Sequence, residues 1–216
     1  SAAGVDPDEV VYPFDATEEM VRWAHERVDR YTTLVPSQRL VILQAAMFDE
    51  NEFSFAYDEN LTLTAKQAFQ GRRGNCLSFT ALFVAMSREL GMPTFLVLVD
   101  RVPEVQKDQN VVVVNRHVVA GFLETGRMHL YDFYESSEQP LIHRRIVDDV
   151  TASAMFHTNL GADALRSGSN DEARRHLHLA TSIAPGWPPG WINLGVAHAR
   201  SDRRQEALES YQTALE

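Results

Sequence analysis

Cysteine is almost absent from this 216-residue chain, and Cys76 is its single example. One thiol excludes an internal disulfide and any zinc site built from several cysteines. It leaves the cellular compartment open. Long apolar runs are also missing: no uninterrupted apolar stretch reaches about 18 residues, so no transmembrane helix is expected. Positive charge is in deficit, with 20 Lys+Arg against 30 Asp+Glu and a net charge of −10. Phosphate contact wants a net basic face, so no nucleic-acid partner is expected. The histidines lack a His-Glu-x-x-His spacing. Gly71-x-x-Gly74 is too short for a phosphate loop and lacks the Lys-Ser/Thr ending. Neither a metal nor a cofactor is therefore expected. Ser1-Ala2-Ala3-Gly4 show no charged segment leading into an apolar one. The expectation is that a signal peptide never existed or has been removed.

What is present is ordinary globular composition, 44% hydrophobic and 23% charged, enough for one or two domains with real cores. Residues 1–14, with Pro7 and Pro13, read as a loose arm. Asp15 and Glu18 have capping-box spacing ahead of a helix carrying Met20, Trp23, Ala24, Arg27 and Val28. A second helix is expected after Pro36, with Leu40, Leu43, Ala46 and Met47 buried. Residues 49–60 read as a loop, and Thr64 caps a short helix through Phe69. Gly71-Arg72-Arg73-Gly74 makes a turn. From Cys76 a helix runs to Leu90 with the stripe Phe79, Leu82, Phe83, Met86 and Leu90. It stops at Gly91, with Pro93 beyond.

The pattern then changes. Thr94 to Val99, Val111 to Phe122 and Met128 to Tyr134 read as strands. A loop containing Pro103 joins the first two, and a hairpin turn at Thr125-Gly126-Arg127 joins the last two. Helices first and strands after is an α+β order. Beyond about residue 150 the strands stop. Leu160-Gly161 recurs as Leu194-Gly195, 34 residues later, and Ala173 and Ala180 recur as Ala207 and Ala214 at the same offset. With Leu177 matched by Tyr211, Pro185 at the end of the first copy and Trp191-Ile192-Asn193-Leu194-Gly195 opening the second, this resembles the tetratricopeptide repeat. The domains expected are an arm at 1–14, an α+β domain at 15–150 and two repeats at 151–216. A repeat stack ending at Glu216 without a polar cap leads us to expect further chain or self-association.

Cys76 is the sharpest chemical feature. It follows a Gly-rich turn and opens a helix, where free N–H groups and the helix dipole favour a thiolate. Arg72 and Arg73 either add to that field or are solvated. A cysteine nucleophile needs a base, and the base needs an orienting group. His117 lies mid-strand among valines. Asp132 lies on the next strand, between apolar neighbours, where an unpaired carboxylate is costly. In a hairpin turning at 125–126, facing positions sum to about 250; His117 and Asp132 sum to 249. They are expected as near neighbours on one face, provided the register does not slip.

Gly74-Asn75-Cys76-Leu77-Ser78-Phe79-Thr80, Leu82-Phe83-Val84-Ala85 and Leu90-Gly91-Met92-Pro93 together resemble the cysteine helix of the transglutaminase-like superfamily. Asn115-Arg116-His117-Val118 and Tyr131-Asp132-Phe133 resemble its histidine and aspartate strands. Cysteine, histidine 41 residues on and aspartate 15 further follow the same order and spacing. The resemblance covers roughly residues 35–140. It implies a papain-like α+β core, with Cys76 as nucleophile, His117 as general base and acid, and Asp132 as orienter. Many members carry Trp soon after the histidine; here Val118-Val119 follow. The Cys76 N–H is the natural first oxyanion donor, and Gln67, Gln70, Asn60 and Tyr57 are candidates for the second. A transglutaminase-like domain followed by tetratricopeptide repeats also resembles a bacterial group whose members are often exported or lipid-anchored, with a cytoplasmic location as the alternative.

These observations lead us to expect a cysteine-dependent amide or peptide-bond hydrolase whose repeats recruit a protein substrate or partner. The alternatives are an inert transglutaminase-like adaptor and an acyl-transferring transglutaminase. Asp148-Asp149 reads as solvated, and His176 and His178 point to different sides of one helix. Trp187 and Trp191 either line a peptide groove or fill the repeat core.

Overall fold

The computed structural model describes residues 9–100, 104–106, 111–113, 116–132 and 143–216. Pro7, Pro103, Asn115, Phe133 and Tyr134, named above, lie outside them. The described residues fall into two compact units: one spans 14–147, and the other combines 148–216 with the N-terminal segment ending at Pro13.

The first unit begins with helix α1 (Glu18–Val28). Its cap is Thr17 rather than Asp15: Thr17 Oγ1 accepts the Met20 N–H at 3.3 Å. This shift leaves Glu18 and Glu19 in the first turn, where the helix dipole favours acids. Helix α2 (Pro36–Phe48) buries Leu40, Leu43, Ala46 and Met47, the stripe its periodicity predicts. The next segment is not all loop. Strand β1 (Ala56–Tyr57) pairs in parallel with β2 (Arg73–Gly74), which follows helix α3 (Ala65–Gly71). Thr64 caps α3 by accepting the Gln67 N–H. Phe53 and Phe69 pack at 5.1 Å between ring centres, with Trp23 at 5.0 Å from Phe53.

Helix α4 (Cys76–Glu89) buries every residue from Leu77 to Ser87. It is therefore a central helix rather than a one-faced surface helix. Phe79 stacks on Phe48 of α2, and Phe83 stacks on Tyr131, each at 5.2 Å.

The strands that follow are β3 (Phe95–Asp100), β4 (Glu104–Gln106), β5 (Val111–Val113), β6 (Arg116–Glu124), β7 (Arg127–Tyr131) and β8 (His143–Val147). Four of them form an antiparallel sheet in the order β7-β6-β3-β8. The apolar run expected as one strand over Val111–Phe122 is two. Its first part pairs with β4 in a separate ribbon, and its second part joins the main sheet. Strand β8 carries exposed His143, Arg144, Arg145 and Ile146 ahead of buried Val147. That pattern offers little of the apolar alternation by which strands are recognised, and sequence reading passed over it.

The turn joining β6 to β7 holds two residues, Thr125 (φ 48°) and Gly126 (φ 83°). Positive φ at both positions is the type I′ geometry that matches strand twist. Glu124 pairs with Arg127 and Ala120 with Tyr131, so facing positions sum to 251.

The second unit is all-helical: α5 (Asp149–Ser167), α6 (Asn170–Ile183), α7 (Pro188–Arg200) and α8 (Arg204–Thr213). Ala164, Leu165, Ala173, Leu177, Leu194 and Ala197 form one buried cluster, with Trp191 packed against it. Trp187 is buried as well. Gly161 and Gly195 do equivalent work one offset apart. A Cβ on Gly161 would sit 2.5 Å from Leu177 Cγ, and one on Gly195 would strike the Tyr211 ring. Asp148, expected to be merely solvated, caps α5 by accepting the Thr151 N–H at 2.6 Å. The N-terminal residues are tied to this unit. The Val11 N–H donates to His157 Nε2 at 3.2 Å, and Tyr12 OH donates to Asp149 Oδ2 at 2.9 Å. No helix among the described residues is long and apolar enough to cross a membrane.

Candidate active site

Cys76 is the first residue of α4 and is partly exposed. Its place is fixed by what comes immediately before and after it. Asn75 caps the helix, its Oδ1 accepting the Ser78 N–H at 3.1 Å while its Nδ2 donates to Thr62 Oγ1 at 2.8 Å. The Asn75 N–H donates to the Leu61 carbonyl. Ser78 Oγ accepts the Leu63 N–H at 2.8 Å. Gly74 lets this happen, because a Cβ there would lie 2.5 Å from Ser78 Cβ. The start of α4 is thus stitched to residues 61–63 from both sides. As a first-turn N–H, that of Cys76 has no acceptor within its own helix, and no acidic residue occupies that turn.

His117 lies on β6, opposite Val99 of β3. Its strand is tied to α4 by Thr80 Oγ1, which donates to the Val118 carbonyl at 3.1 Å. Asp132 follows the last residue of β7. His117 Nε2 meets Asp132 Oδ1 at 2.7 Å. Both side chains are largely buried, at 11% and 23% exposure, so little water competes for this contact. Burial pushes the imidazolium of His117 down. The hydrogen bonds to Asp132 and to Cys76, with the charges of both, outweigh it and raise its pKa to about 9. His117 is thereby hydrogen-bonded to Asp132, 15 positions on, and close enough to Cys76, 41 positions back, for the thiol to act on its pKa.

The other named residues separate. Gln67 spends its carbonyl on the Thr64 N–H within the α3 cap. Gln70 and Asn60 are exposed. Tyr57, exposed as well, pairs with Gly74 across β1 and β2, two residues before Cys76. Arg72 and Arg73 are exposed, and the Arg72 guanidinium lies 5.4 Å from the Phe53 ring centre. Sequence reading missed Asn75 as a cap, although Asn ahead of a helix is a recognised signal. It also missed Gln44 of α2, whose Nε2 donates to the Asp132 carbonyl; no local pattern marks that contact. No metal-binding group of three or more His, Cys, Asp or Glu occurs among the described residues.

Residues 23–127 match the Transglutaminase-like superfamily. This part of the chain is a transglutaminase-like domain. The match takes in α2, α4 and β6, hence both Cys76 and His117, and ends before Asp132. The transglutaminase-like domain thus combines helices with an antiparallel sheet, as a papain-like fold requires, and its cysteine opens the central helix. No curated protein and no solved structure matches the chain.

Proposed function

We propose that the transglutaminase-like domain is a cysteine-dependent amide or peptide-bond hydrolase. The observation that carries this is the 2.7 Å contact between His117 Nε2 and Asp132 Oδ1 on the strands packed against α4, the helix that Cys76 opens; the neighbouring Asp132 and Cys76 raise the His117 pKa to about 9. Cys76 Sγ attacks the substrate carbonyl carbon, and the new S–C bond pushes the carbonyl π electrons onto oxygen. The Cys76 N–H at the α4 N-terminus donates to that oxyanion. On collapse the C–N bond breaks, and His117 delivers its proton to the leaving amine. A thioester remains. His117, now neutral, takes a proton from water as the water oxygen attacks the thioester. Collapse then releases the acid, and the proton returns to the Cys76–His117 pair. Asp132 keeps the ring turned and balances the imidazolium charge.

The helical unit is the part we assign to recruiting a protein or peptide partner, as a pair of tetratricopeptide repeats. Support comes from the 34-residue recurrence of Gly161 and Gly195, each against the bulky side chain 16 positions on, Leu177 and Tyr211.

The test is the pH dependence of Cys76 alkylation by iodoacetamide in the wild type and in His117→Ala. The expected result is wild-type reactivity persisting well below the ordinary thiol range of ~8.5, and lost in the variant. Slow alkylation that follows an ordinary thiol and ignores the substitution would sink the catalytic reading and leave a binding protein.

A further inference from the structure

Helix α2 holds the end of β7 at two points. Tyr131 OH donates to the Ser37 carbonyl at 3.0 Å. Two turns further along α2, Gln44 Nε2 donates to the Asp132 carbonyl. The pairing of β7 with β6 ends at Tyr131, which faces Ala120, and Asp132 is the next residue. At the point where the sheet ladder stops, the helix takes over. The Asp132 carboxylate hangs on a short side chain with two torsions, so the position of its main chain decides whether Oδ1 reaches His117 Nε2 at 2.7 Å.

We propose that Gln44 is a positioning residue of the site: its amide fixes the Asp132 backbone, and through it the direction of the Asp132–His117 hydrogen bond. The inference rests on the reading of Cys76, His117 and Asp132 as an acyl-transfer site. Gln44 is hydrogen-bonded to Asp132 and acts on the histidine through it. Its side chain is half-buried on the helix, so the contact is shielded rather than a solvent-swept surface pair.

The experiment follows the His117 imidazole by NMR against pH in the wild type, in Asp132→Ala and in Gln44→Met, with the His117→Ala spectrum giving the assignment. Met keeps the length and helix preference of Gln but has no N–H. Asp132→Ala is expected to lower the His117 midpoint by about one pH unit or more, the usual effect of a close opposite charge. Gln44→Met is expected to move it in the same direction and by less. A purely structural Gln44 would lower the melting temperature and leave the His117 titration at its wild-type position; that outcome overturns the inference while the site reading stands. A titration that ignores Asp132→Ala overturns the site reading itself, and the role of Gln44 with it. Should Gln44→Met not fold, Gln44→Asn removes the reach of the amide by one methylene and is read in the same way.

Discussion

His117 and Asp132 are diagonal neighbours across the β6–β7 hairpin, not directly opposed residues. Ala120 faces Tyr131, so the same register carried one step further sets Asp132 level with Val119, two residues from His117. Residues two apart on a strand share a face. A register sum of 250 would have set Asp132 level with Val118, on the other face. The two-residue type I′ turn at Thr125-Gly126 selects the register that puts the two side chains on one face.

The raised pKa of His117 makes a prediction about stability. The folded value, about 9, lies above the ordinary 6.5. Protonated His117 therefore stabilises the fold fully below about pH 6.5, and that contribution is lost as pH rises through 9. The difference in unfolding free energy between wild type and His117→Ala is expected to narrow over this window by on the order of 1–3 kcal/mol. Urea unfolding at pH 6 and at pH 9.5 measures it. A difference that widens with pH contradicts the assignment.

The helical unit responds to acid in the opposite sense. Burial, with the neighbouring charges of His176 and Arg175, lowers the pKa of His157 to about 4. His157 Nδ1 faces His176 Nδ1 at 3.1 Å, and its Nε2 accepts the Val11 N–H. Neutral His157 supports the fold above about pH 6.5, and this support is lost as pH falls through 4. Protonated Nε2 can no longer accept, so the N-terminal segment should detach with it. The protection of the Val11 amide, its exchange rate relative to the intrinsic rate at the same pH, is expected to be lost between about pH 6 and pH 4. His157→Gln should abolish that pH dependence.

Gly161→Ala and Gly195→Ala should both destabilise the helical unit, although alanine is the better helix former by about 1 kcal/mol. The added methyl meets Leu177 in one case and the Tyr211 ring in the other. Overpacking of this kind costs about 1–3 kcal/mol, so the net change is a loss that is smaller where the partner can move aside. The paired variants Gly161→Ala/Leu177→Ala and Gly195→Ala/Tyr211→Ala give non-additive losses by thermal unfolding if these contacts are the cause.

Asn75→Ala removes a helix cap and leaves Thr62 Oγ1 and the Ser78 N–H without their partner. A loss of about 1–2 kcal/mol is expected. The alkylation rate of Cys76 should fall as well, because the first turn of α4 carries the thiol. Unchanged alkylation in a measurably destabilised variant would mean the cap holds the helix but not the cysteine.

Much of this was legible in the residues. The stripe of α2, the Thr64 cap, the α4 span and the hairpin turn all follow from local periodicity and turn chemistry. What escaped depends on partners distant in sequence. Whether Val111–Val113 continues into β6 or pairs with β4 is a choice between neighbours, and a run of valines suits either. Strand β8 is exposed along most of its length and opens on His143, Arg144 and Arg145, so its pairing with β3 carries little hydrophobic signature. At the site, the residue types and their spacing were readable. The register was not fixed to better than one residue, and Gln44 stands 88 positions from Asp132, beyond any local pattern.

The tie between Val11 and His157 has a consequence for how the molecule comes to be made. Residues 9–13 and 148–216 belong to one compact unit, so the transglutaminase-like unit is threaded into it as an insert with two covalent junctions. During synthesis Val11 emerges first and waits for a histidine 146 residues later. Closing so long a flexible loop carries an entropic penalty. An insert that folds first would replace that floppy loop with a fixed span, so the entropic cost of bringing residues 9–13 to residues 148–216 is smaller when the inner unit is already formed.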